Sequence, residues 1–66
     1  MIEISRYNLI QGSQVVIEQD DIDYEVKLNG AIIANTSDEF EANLIAEAVD
    51  VALSILNAQQ LLNRKG

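Results

Sequence analysis

The stretch "LIAEAVDVALSILNAQQLL", Leu44 to Leu62, is too apolar for an ordinary surface helix. Leu44, Ala48, Val51, Ile55, Ala58 and Leu62 follow at intervals of 4, 3, 4, 3 and 4, which makes one continuous stripe on an α-helix. Ile45, Val49, Ala52 and Leu56 form a second stripe beside it, and Ala42, Ala46 and Leu53 carry the apolar zone further round. The polar residues Asn43, Glu47, Asp50, Ser54 and Asn57 are confined to a narrow strip opposite. At about 100° per residue the apolar arc covers roughly 220°. A helix lying on one surface needs only somewhat more than about 100°.

The stretch is also no membrane span. The longest uncharged run, Val51 to Asn63, has 13 residues and includes Ser54, Asn57, Gln59 and Gln60. Crossing a bilayer takes about 20 predominantly apolar residues.

Both ends of the pattern agree on one helix over residues 37–64. Thr36 or Ser37 can cap its start, Thr36-x-x-Glu39 fits a capping box, and Asp38 and Glu39 suit the positive end of the helix dipole. Arg64 and Lys65 suit the negative end, and Gly66 follows. About 26 residues at about 1.5 Å each make a rod of roughly 39 Å.

Residues 1–35 read as strands. In "YEVKLNGAIIAN", Tyr24, Val26 and Leu28 alternate with Glu25 and Lys27, and Asn29-Gly30 suits a two-residue type I′ turn. That turn pairs Leu28 with Ala31 and Val26 with Ile33. "QVVIEQ" is a second strand signal, flanked by turn chemistry in "QGSQ" and "QDDID". The opening "IEISRYNLI" alternates but changes frame: Ile2 and Ile4 share one face, Tyr7 and Leu9 the other, as a bulge or a break between two short strands would produce. Tyr24 and Phe40 are expected in the core. The expected fold is α+β: an antiparallel β-meander of three to four strands followed by one long C-terminal helix, in a single domain.

Strands this short span about 20 Å at about 3.3 Å per residue. They can cover one side of one half of the rod. The remainder would expose more contiguous apolar surface than a monomer normally does. The expected cover is another copy of the chain, packed through Leu44, Ala48, Val51, Ala52, Ile55, Leu56, Ala58 and Leu62, with the alanines allowing close approach. The alternative is a helix that bends or breaks near Ser54 or Asn57 and folds back, although no Gly or Pro stands there.

Composition narrows the functional classes. In 66 residues there is no cysteine and no histidine. Disulfides and thiolate metal sites are excluded, and so are the commonest metal ligand and the commonest acid–base catalyst. Eleven acidic against four basic side chains leave a net charge of −7, which repels nucleic acid and anionic membranes and attracts basic protein surfaces. No serine has a base in pattern, and no cofactor signature is present. "MIEISRYNLI" carries an early Glu3 and no long apolar core, so a cytoplasmic protein is expected.

The acidic run "EQDDIDYE" holds Glu18, Asp20, Asp21, Asp23 and Glu25. Asp21-x-Asp23-x-Glu25 has a spacing reminiscent of calcium loops, but the glycine and the distant glutamate of such loops are missing. The run is otherwise a contact surface for a basic partner, or a solvated turn. The functional expectation is a small acidic, non-enzymatic interaction module. It would be homo-oligomeric, without cofactor, and an inhibitor or accessory factor of a basic protein that handles nucleic acid. A purely structural assembly subunit and a binder of small ligands at the subunit interface are the alternatives.

Overall fold

The computed structural model describes residues 1–63. The elements are β1 (Ile2–Asn8), a 3-10 turn (Ile10–Gly12), β2 (Gln14–Asp20), β3 (Asp23–Leu28), β4 (Ala31–Thr36) and α1 (Glu39–Asn63). The strands form one antiparallel sheet in the order β1-β2-β3-β4. The α+β meander-and-helix fold is thus the one the periodicities dictate.

The sheet has one covered and one open face. Val15 and Ile17 of β2, with Val26 of β3, are completely buried beneath Ala42 and Ala46 of α1. Ile4, Tyr7, Tyr24, Leu28, Ala34, Ile45 and Val49 pack around this centre. The frame change in β1 is a bulge: Glu3 pairs with Glu18 and Ser5 with Ile17, which leaves Ile4 unpaired and brings both Ile4 and Tyr7 to the core.

The hairpin turn forms as its residues require, with Asn29 at φ 51° and Gly30 at φ 89°. Its register differs from strict alternation. Leu28 pairs with Ala31 and Lys27 with Ile32, but Val26 pairs with Ala34, because Ile33 is the extra residue of a second bulge. The bulge puts small Ala34 under the helix and Ile33 outside.

The helix begins two residues later than expected. Asp38, not Thr36 or Ser37, is the cap: its Oδ1 accepts the Phe40 amide at 3.0 Å, and its carbonyl accepts the Ala42 amide at 3.0 Å. Thr36 is already the last residue of β4. Its Oγ1 accepts the Asp38 amide at 3.3 Å and donates to Glu41 Oε1 at 2.7 Å. α1 runs unbroken to Asn63 and does not fold back at Ser54 or Asn57. The expected end at residue 64, and the roles given to Arg64, Lys65 and Gly66, lie outside the described residues. Phe40 is 70% exposed, because it sits six positions before Ala46, about 120° off the sheet-facing line.

Candidate functional site

Two surfaces remain once the core is closed: the back of α1 and the open face of the sheet.

The helix contacts the sheet through Ala42, Ile45, Ala46 and Val49, with Leu53 half-buried further along. Nine positions of α-helix turn the chain through about 900°, which is half a turn beyond two whole ones. Val51 stands nine positions after Ala42, Ile55 nine after Ala46, and Leu53 lies nine from both Leu44 and Leu62. The stripe that starts at Leu44 is therefore diametrically opposite the sheet. It is uncovered: Leu44 is 47%, Val51 58%, Ile55 52% and Leu62 70% exposed, and Ala48 and Ala58 lie open between them. Ala52 and Leu56 extend the exposed zone along one flank, and Leu61 lies toward the other.

The polar strip does not simply face water. Tyr7 donates its hydroxyl to Asn43 Oδ1, and Gln11 Nε2 donates to Asn57 Oδ1 at 2.7 Å. The strip thus runs along one flank between two apolar faces, tied at one end to β1 and at the other to the 3-10 turn. Periodicity alone offers no sign of these anchors, since Asn43 and Asn57 look like solvent-facing residues. Gln11, at φ 57°, reaches α1 because the 3-10 turn lifts it off the sheet edge.

The open sheet face gathers four of the five residues of the acidic run. Glu18 pairs across the strands with Glu25, and Asp20 with Asp23. The β1 bulge brings Glu3 opposite Glu18, an addition that the run itself does not announce. Asp21, at φ 60°, stands at the tip of the β2–β3 hairpin beside exposed Ile22.

Like charges directly opposite one another are unfavourable, and two cations on this face offset part of the repulsion. Lys27 Nζ lies 2.7 Å from Glu18 Oε1. That hydrogen bond, with the Glu18 and Glu25 charges behind it and desolvation opposing, raises the Lys27 ammonium above its ordinary value. Arg6 grips Glu3 through Nη2 at 2.8 Å and Nε at 3.1 Å, and donates through Nη1 to Gln14 Oε1 at 2.6 Å. The Arg6 hydrogen bonds hold the Glu3 carboxyl below the usual range.

With both cations so engaged, no ion pair reaches Asp20, Asp21, Asp23 or Glu25 among the described residues. Glu25 is only 7% exposed, and its Oε1 has no hydrogen-bond partner among them. No group of three or more acidic side chains among the described residues is placed to hold a metal ion. Asp21-x-Asp23-x-Glu25 lies on a turn and one strand, and does not converge. No helix among the described residues is long and apolar enough to cross a membrane.

Comparison of the chain with protein-family models, with curated proteins and with solved structures returns no match.

Proposed function

We propose that the chain is a self-associating protein-interaction module. Two copies pack helix against helix through Leu44, Ala48, Val51, Ile55, Ala58 and Leu62. Each copy then turns its acidic sheet face outward, toward a protein with a basic surface of the kind that handles nucleic acid. One observation carries this reading: the exposed apolar line on α1 lies half a turn away from the line that the sheet covers. Back-to-back pairing therefore stacks sheet, helix, helix and sheet, and leaves both acidic faces accessible.

The energetics suit a concentration-dependent pair. Leu44, Val51, Ile55 and Leu62 each keep about half or more of their surface to lose, and completing that burial contributes roughly 1 kcal/mol apiece. Over two chains this is about 8 kcal/mol, of the same order as the ~4–15 kcal/mol that association costs.

The test uses Ile55→Asp. Ile55 faces away from the sheet, so the variant should keep its circular dichroism and its cooperative melt. Sedimentation equilibrium should give more than the single-chain mass for the unmodified protein and the single-chain mass for the variant. A single chain at millimolar concentration for the unmodified protein would sink the reading.

The acidic face is tested separately, by titrating a lysine-rich peptide and following amide shifts. Shifts confined to β2, β3 and their hairpin, abolished by about 0.5 M salt, support it. Their absence, or equal shifts with an uncharged peptide, removes the basic partner.

A further inference from the structure

We infer that the paired helices run antiparallel, with the two-fold axis level with Leu53. This rests on the self-association proposed above and adds its direction and register.

The exposed line has intervals of 4, 3, 4, 3 and 4, which read the same from either end. Its side chains are also matched about the midpoint. Turned end for end, Leu44 meets the partner's Leu62, Ala48 meets the partner's Ala58, and Val51 meets the partner's Ile55. Each layer thus pairs residues of like size. The two alanine layers flank the centre and let the backbones approach, while the leucine layers close both ends.

Matching by size is also available to a parallel pair, so charge decides the direction. Asp38, Glu39, Glu41, Glu47 and Asp50 all lie in or just before the first half of α1, and Val51 to Asn63 contains no charged residue. Glu41 lies three positions before Leu44 and is the next member of the apolar line. A parallel, in-register pair would set Glu41 against the partner's Glu41 and would lay two acidic half-helices side by side. Two positive helix ends would adjoin as well. Reversal places each acidic half beside the partner's uncharged half and sets the helix dipoles head to tail.

The chain has no cysteine, so single cysteines report the geometry without background. Leu44 and Leu62 both face away from the sheet, and Leu44→Cys and Leu62→Cys should leave the fold intact. In the antiparallel register Leu44 and the partner's Leu44 are 18 positions apart along the seam, about 27 Å, whereas a disulfide needs Cα atoms within about 7 Å.

An equimolar mixture of the two variants under mild oxidation should therefore yield the Leu44→Cys/Leu62→Cys heterodimer. Each variant alone should crosslink at least tenfold more slowly. Rapid crosslinking of Leu44→Cys with itself would overturn the antiparallel arrangement, and so would a chain that sediments as a dimer without forming the mixed disulfide. A chain that sediments as a monomer would remove both this inference and the self-association beneath it, so the two failures are distinct.

Discussion

Ala46 and Ala48 stand two positions apart on α1, and the same substitution should have opposite consequences at the two. Ala46 is completely buried where the helix rests on Val15, Ile17 and Val26. Ala46→Leu must push the helix off the sheet, at a cost of about 1–3 kcal/mol. Ala48 is exposed, and Ala48→Leu should change the unfolding free energy of a dilute sample by less than about 0.5 kcal/mol. Urea titration of the two variants at low concentration checks the face assignment directly; equal losses would contradict it. Gly30 supplies a second case. A Cβ there would meet open space, so Gly30→Ala should cost only the strain of φ 89°, about 1–2 kcal/mol, read as a lower urea midpoint.

At the level of elements, the helix start separates what residue type can say from what geometry decides. Thr36, Ser37 and Asp38 all have capping chemistry, and Glu39 sits where a capping box from Thr36 would want it. Strand β4 settles the choice by continuing through Thr36, whose side chain is then buried and committed to the Asp38 amide and Glu41. With Thr36 committed, the cap is Asp38, whose Oδ1 accepts the Phe40 amide. Asp38→Ala should therefore destabilise the chain by about 0.5–2 kcal/mol in thermal melts, and Ser37→Ala by much less. The reverse ranking would restore the earlier start.

The meander behaves similarly. The Asn29-Gly30 turn and the strand alternation are legible because turn chemistry and pleat are local. The Ile33 bulge is not, because "AIIA" alternates equally well in either frame. In the folded chain Ala34, and not Ile33, is the partner of Val26, and the smaller side chain is the one that packs beneath α1.

For the whole molecule, the dimensions confirm the mismatch that the helix length implies: the molecule measures 49 × 18 × 14 Å, around a helix of 25 residues. Electrostatics acts at the same scale, because the open sheet face carries two ion pairs, and their shifted groups, Glu3 and Lys27, titrate at opposite ends of the pH range. The Glu3 carboxyl is lowered in the folded chain, so its contribution is present above the ordinary carboxyl value of about 4.3 and is lost as pH falls through the lowered value. The Lys27 ammonium is raised, so its contribution is complete below about 10.4 and is lost as pH rises through the raised value. Urea midpoints should be level between about pH 5 and 9 and should fall on both sides. Lys27→Met should flatten the alkaline fall; an unchanged alkaline fall would show that the Lys27–Glu18 pair contributes nothing.

The order of strands and helix, the Asn29-Gly30 turn, the surplus of apolar surface on the helix and the acidic balance are legible in the residues alone, which left the strand count at three or four. All of these follow from short-range periodicity and residue chemistry. The folded chain settles which arc of the apolar zone meets the sheet, which residue caps the helix, where both bulges fall, and that Glu3 joins Glu18, Asp20, Asp23 and Glu25 on one face. The physical reason is phase. A helix that is apolar over more than half its circumference carries no preference of its own for one side. The rotation is set when small Ala42 and Ala46, rather than Leu44 and Ile55, are the residues that let it settle onto Val15, Ile17 and Val26.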